Sequence, residues 1–156
     1  MKSNLYNLLV ILLVSALANG AEMPDIKDSL NTETGVVELK IAPVRIKDGG
    51  DLIISLYNDK DSWLKTDKAF NTKVLPVETD TVNVTLGDIP FGQYALSIIH
   101  DKNSNGKFDM RWFPFPKPKE GAGVSNNNRR MGKPDYDKAL FTVAKDTTAL
   151  FIEMDY

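Results

Sequence analysis

Leu86-Gly87-Asp88-Ile89-Pro90-Phe91-Gly92-Gln93-Tyr94 reads as two strands meeting at a tight corner. Before it, Val82, Val84 and Leu86 alternate with Asn83 and Thr85, the period of a half-buried strand. Pro90 and Gly92 then punctuate the chain, and a second apolar run opens on Tyr94. From Tyr94 to Ile99 that run is almost continuously apolar, as expected of a central strand. Toward the N-terminus, Val37, Leu39 and Ile41 alternate with Glu38 and Lys40, and Leu52, Ile54 and Leu56 begin another alternating run. The turn Asp48-Gly49-Gly50-Asp51 separates the two. Asp61 to Phe70 reads as one short helical turn that sends Trp63, Leu64 and Phe70 into the core. Lys73 to Val77 forms a weaker strand that Pro76 restricts to an edge. Phe141-Thr142-Val143 and Leu150 to Met154 read as a C-terminal hairpin turning at Lys145-Asp146-Thr147.

About seven short strands at this spacing, with no long amphipathic helix, predict an all-β, antiparallel β-sandwich. The strand, corner and Tyr94 resemble the corner of immunoglobulin-like and transthyretin-like sandwiches, which implies that the Tyr94 hydroxyl ties back to upstream backbone. One long segment, Asp101 to Lys138, shows little alternation. Loops of that length inside a compact domain are functional or disordered. Phe108, Trp112, Phe113, Phe115 and Val124 make this one too apolar for disorder, so something should order it.

The first twenty residues have the form of a secretory signal. Lys2 supplies a positive start, Leu5 to Ala18 an apolar stretch, and Ala16-Leu17-Ala18 and Ala18-Asn19-Gly20 two small-residue cleavage motifs. About 14 apolar residues are too few to span a bilayer, which needs roughly 20. The expected organisation is a signal peptide over 1–20, a flexible lead-in over 21–35 and one β-sandwich domain over 36–156. Export to the periplasm, the cell surface or the medium follows, with no membrane-spanning segment after cleavage. The absence of cysteine excludes a disulfide and a lipid on an N-terminal cysteine.

The whole chain carries 19 basic and 21 acidic residues; removing Lys2 with the signal leaves 18 against 21, a balance of −3. That argues against a nucleic-acid partner, which needs a concentrated basic face. Basic residues do gather at Lys117, Lys119, Arg129, Arg130 and Lys133, where a solvated loop or a small anion-binding patch would serve.

Inside the long segment, His100-Asp101-Lys102-Asn103-Ser104-Asn105-Gly106-Lys107-Phe108-Asp109 carries a metal-ligand spacing. Asp101, Asn103, Asn105 and Asp109 stand at positions 1, 3, 5 and 9 of an EF-hand-type loop, with Gly106 at the sharp turn and Lys107 offering its carbonyl at position 7. Position 12, where a bidentate Glu belongs, is Trp112. Glu120 is the best substitute if the proline-rich segment folds back. Hard Ca²⁺ takes six to eight oxygens, and so few charges imply an affinity on the order of 10⁻⁴–10⁻³ M. The plain alternative is a polar turn, because Asp, Asn and Gly all favour turns.

Beyond that loop the chain carries Gly92-Gln93-Tyr94-Ala95, Pro118-Lys119-Glu120-Gly121-x-Gly123-x-Ser125-Asn126-Asn127 and Pro134-Asp135-Tyr136-x-x-Ala139. With His100-Asp101-x-Asn103-x-Asn105-Gly106-x-x-Asp109, this set resembles the bacterial exported family catalogued as domain of unknown function 2141. The resemblance spans roughly Val36 to Tyr156. It implies an exported β-sandwich and supplies no activity. Arg111 to Pro116 departs from the family by placing aromatics and prolines where a smaller Gly-containing link is usual, and Tyr136 stands for the more usual Phe.

His100 is the only histidine. A hydrolase using His100 with Asp101 and Ser125 can be drawn, but neighbouring strand residues face opposite ways and no Gly-x-Ser-x-Gly elbow exists. A strand-end histidine that supports the loop is the expected role. Trp112, Phe113 and Phe115 are expected to cover a core; the alternative is an aromatic platform for a sugar or peptide. The sequence thus points to a non-enzymatic, calcium-binding exported module with a protein or glycan ligand at the cell envelope. A carbohydrate-binding module and a small hydrolase are the alternatives.

Overall fold

The computed structural model describes residues 33–128 and 132–156. The expected signal segment, the lead-in as far as residue 32, and Arg129 and Arg130 of the basic group lie outside the described residues. The strands are β1 (Thr34–Ala42), β2 (Asp51–Tyr57), β3 (Asn71–Pro76), β4 (Val82–Pro90), β5 (Gly92–Asp101), β6 (Met110–Arg111), β7 (Lys117–Pro118), β8 (Gly121–Val124), β9 (Phe141–Val143) and β10 (Thr147–Glu153); an α-helical turn, α1, covers Tyr136–Ala139, and short 3-10 turns cover Ile46–Asp48, Thr66–Lys68 and Ser125–Asn127. Among the described residues no helix is long and apolar enough to cross a membrane.

Two sheets make a sandwich. One has the order β10-β1-β4; the other runs β3-β2-β5-β8, with β9 also paired to β5. The alternating residues explain the layering. Val37, Leu39 and Ile41 of β1, Val84 and Leu86 of β4 and Ile152 of β10 meet Leu52, Ile54, Leu56, Leu96 and Ile98 of the second sheet in one buried core. Glu38 and Lys40 face outward. The second sheet is covered on its other face as well. There Tyr57 and Ala95 pack with Trp63, Val124, Tyr136 and Ala139, which accounts for the continuous apolar run after Tyr94.

Several expectations needed correction. There are ten strands among the described residues rather than about seven, and β1 and β10 run parallel, from Val36↔Thr147 to Ala42↔Glu153. Phe141–Val143 and Leu150–Met154 do not form a hairpin. β9 joins β5, while β10 crosses to the other sheet. The nine-residue β1 presents an edge that the three-residue β9 could not cover and the seven-residue β10 can. The segment 101–138 is not structureless, since β6, β7 and β8 lie within it and α1 begins in it. Phe70 stays 43% exposed and rests against the Tyr94 ring at 5.5 Å, whereas Trp63 is buried as expected.

The corner at Pro90 forms as its residues imply. The Tyr94 hydroxyl donates to the Pro90 carbonyl at 2.8 Å, and burial pushes the phenol above its ordinary pKa. Tyr94→Phe removes that bond from a buried site. The urea midpoint should fall by the equivalent of about 1 kcal/mol with an unchanged m-value. An unchanged midpoint would show that the corner holds without the hydroxyl.

Candidate metal centre

Strands β5 and β8 are joined in register at His100↔Gly121, so residues 101–120 form one long excursion from the end of a ladder. Its first half winds around its own side chains. The Asp101 Oδ2 accepts from the Gly106 N–H at 2.6 Å, and Gly106 holds φ +75°, a conformation open to glycine and strained for most other residues. The Asn103 Oδ1 accepts from the Asn105 N–H at 3.1 Å, and the Asn105 Oδ1 from the Lys107 N–H at 2.8 Å. These successive Asx turns bend the chain back toward its start. The Asn103 and Asn105 amides donate to the Asp109 Oδ2 at 2.9 and 3.2 Å.

Glu120 closes the ring. It is 3% exposed, and its two oxygens accept from the Lys102 N–H at 3.2 Å and the Asp109 N–H at 2.9 Å. The return of the proline-rich segment therefore brings Glu120 onto the loop. Asp101, Asn103, Asn105, Asp109 and Glu120 share one hydrogen-bonded loop, which Lys107 enters through its backbone.

Asp101 is 1% exposed, and its Oδ1 has no hydrogen-bond partner among the described residues. A buried carboxylate oxygen without a partner is costly, and a cation or a donor is what it lacks. Lys102, beside it in sequence, instead pairs with the Asp48 carboxylate at 2.7 Å. Asn103 and Asn105 turn their amide nitrogens, not their oxygens, toward Asp109. Each Asn oxygen nonetheless keeps a second lone pair beyond the backbone N–H it accepts. Among the described residues no three His, Cys, Asp or Glu side chains group as a metal site. A cation here would depend on Asn and backbone oxygens as well as carboxylates, a mixed oxygen set that suits calcium and not the softer transition metals.

His100 sits under the loop, fully buried. Its Nε2 lies 2.6 Å from the Gly49 carbonyl, which can only accept, so Nε2 carries the proton. In the neutral ring the Nδ1 then accepts from the Tyr156 hydroxyl at 2.8 Å, and that hydroxyl accepts from the Arg45 N–H at 3.0 Å. Burial pushes the Tyr156 phenol above its ordinary pKa, so it keeps the proton it donates. The Tyr156 ring also lies under the Arg45 guanidinium at 4.2 Å and against Gly121, where a Cβ would come within 2.4 Å of it. Tyr156, Arg45 and Asp48 were missed in the sequence, and no spacing rule reaches across the 56 positions from His100 to Tyr156. Ser125 is occupied elsewhere: its Oγ accepts from the Leu96 N–H at 2.9 Å and donates to the Ala139 carbonyl at 2.5 Å.

The aromatic residues of the excursion do not cover a core. Trp112 is 72%, Phe113 85% and Phe115 78% exposed, at the tip of the β6–β7 ribbon. The ribbon pairs Met110 with Pro118 and Arg111 with Lys117, and the five residues between are too short and too Pro-rich to fold back onto the sandwich.

A family model described as an uncharacterized protein conserved in bacteria, domain of unknown function 2141, matches residues 41–150. The chain belongs to that family, and the match includes the whole 101–120 excursion. No curated protein and no solved structure matches the chain.

The hydrogen bond from Lys102, with the charges of Lys102, Lys47 and Arg45, holds the Asp48 carboxyl below its ordinary value of 3.8 against the opposing effect of burial. A lowered folded pKa contributes stability above the unfolded value and loses it as pH falls through the folded value. Asp48→Asn should therefore lower the urea midpoint at neutral pH by less than about 1 kcal/mol, since the pair is partly exposed. The difference from wild type should shrink as pH falls below the ordinary value of 3.8 and vanish once the folded carboxyl is protonated. A difference that persists there would assign the effect to packing instead of charge.

Proposed function

We propose that this chain is an exported, non-enzymatic β-sandwich module whose 101–120 loop is ordered by calcium and presents a binding surface at the cell envelope. The observation that carries the reading is the buried, unpartnered Oδ1 of Asp101 inside a loop closed by Glu120. The ligands would be the Asp101 and Asp109 carboxylates, the Asn103 and Asn105 side-chain oxygens, the Lys107 carbonyl and Glu120. Affinity on the order of 10⁻⁴–10⁻³ M would suit an extracellular module, where calcium is abundant.

The non-enzymatic part is supported by the engagement of the candidate catalytic groups. Both nitrogens of His100 are taken by Tyr156 and Gly49, and the Ser125 hydroxyl is taken by Leu96 and Ala139. General catalysis needs a proton-transferring group within reach of a substrate, and a fully buried imidazole offers none. Exposure of Trp112, Phe113 and Phe115 favours the second reading, a carbohydrate-binding module that stacks sugars on these rings.

Calcium should raise the melting temperature. At about ten times Kd the linkage is worth roughly 1.4 kcal/mol, a shift of a few degrees. Asp101→Asn and Asp109→Asn should each abolish the shift, and Glu120→Gln should weaken or abolish it. No response of the wild type at about 10 mM calcium, above the range expected for such modules, would sink the calcium reading.

Export is tested by intact mass. The exported protein should begin at Asn19 or Ala21, the residues after the two small-residue motifs. Met1 still attached to the exported product would defeat it.

A further inference from the structure

The tip of the β6–β7 ribbon has a composition that the calcium reading leaves without a role. Trp112-Phe113-Pro114-Phe115-Pro116 is wholly apolar, and every residue from 111 to 119 is exposed. Arg111, Lys117 and Lys119 flank the tip, with no acidic residue between 110 and 119. The carboxylates next in sequence are engaged elsewhere: Asp109 accepts from Asn103 and Asn105, and Glu120 is buried against the Lys102 and Asp109 N–H groups. The ribbon thus offers three rings at its end and, at its base, three cations with no ion pair among the described residues.

We propose that this ribbon is a membrane-docking tip, whose Trp112, Phe113 and Phe115 enter the headgroup–acyl boundary of a bilayer carrying anionic lipid while Arg111, Lys117 and Lys119 rest on the headgroups. The order of chemistry along the ribbon, apolar at the apex and cationic one step behind, matches the order of environments met on entering such a surface. Tryptophan suits the interface because its ring is amphipathic. Pro114 and Pro116 fix the backbone of the tip in advance, so little ordering is lost on docking. A sugar platform would need hydrogen-bond acceptors as well as donors beside the rings to hold hydroxyls, and the side chains of 111–119 provide no acceptor. The ribbon is rooted by the Lys119 N–H on the Asp109 carbonyl at 3.0 Å. Docking goes beyond the calcium reading and stands without it.

The test uses the full chain and vesicles of phosphatidylcholine with and without phosphatidylglycerol, in calcium and in a chelator. Trp112 is one of two tryptophans and the other, Trp63, is buried, so emission reports the ribbon even if residues 5–18 also partition. Phosphatidylglycerol vesicles should shift the emission to the blue, and brominated acyl chains should quench it. Phe113→Ser/Phe115→Ser should weaken the response at least tenfold without lowering the melting temperature, because both rings are exposed. Arg111→Gln/Lys117→Gln/Lys119→Gln should weaken it about tenfold or more at low salt and less at high salt. No blue shift in calcium or in chelator would overturn the proposal. So would an equal response on pure phosphatidylcholine, a response unchanged by the Phe variants, or a shift produced by a soluble oligosaccharide and not by vesicles. The calcium reading is decided by the melting assay alone, so either proposal can fail without the other.

Discussion

Strand β5 must satisfy hydrogen bonds along both of its edges and bury side chains on both of its faces, and most of the molecule answers that requirement. β2 runs along it from Ala95 to Asp101, β9 takes Gly92 to Tyr94, and β8 takes Ser97 to His100. Leu96, in the gap between the last two, has its N–H accepted by the Ser125 hydroxyl, so a side chain completes what the ladder leaves open. The same Ser125 bonds to α1 through Ala139, and its neighbours continue the pattern. Asn126 donates to the carbonyls of Lys138 and Leu140, and Asn127 bonds to Phe151 and Glu153 of β10. Three consecutive polar side chains thereby stitch the central strand, the helical turn and the opposite sheet together.

The long excursion is the other consequence of β5. Its two ends are fixed next to each other by the His100–Gly121 pairing, so the chain between them has to satisfy itself. It does so with side-chain oxygens on backbone N–H groups, the only economical partners in a segment without a ladder. Glu120 and Asp101 are buried in consequence, and the proposed cation site rests on these two carboxyl groups. His100, Tyr156 and Arg45 then form the floor beneath it.

Much of this was legible from residue pattern. The alternating strands, the edge placement of Lys73 to Val77 and the Tyr94 corner all follow from local rules, whereas the return of Glu120 to the loop depended on a fold-back that no local rule supplies. The failures have physical causes. β8 is Gly121-Ala122-Gly123-Val124, whose small residues make room for Tyr156 and Ile152 and so erase the alternation that marks a strand. β10 was expected to fold back on β9 because short range dominates a pattern reading, whereas the unpaired length of β1 decided its partner. The exposed rings of 112–115 are expected in a core because apolar residues usually are buried; only topology shows that they lie at the end of a ribbon, exposed among the described residues.

The parallel pairing of β1 with β10 has a temporal meaning. Val36 and Thr147 are 111 positions apart (147 − 36), so one edge of the first strand stays open until nearly the whole domain has been synthesised. β4 can protect the other edge earlier, but the sheet is finished last and by its most distant partner. Closing so long a loop is slow, and a half-made sheet exposes an adhesive edge in the meantime. A chain of this topology completes its fold as a late, whole-domain event rather than progressively as it emerges, and suits a maturation route in which the polypeptide is held extended until its last strand is free.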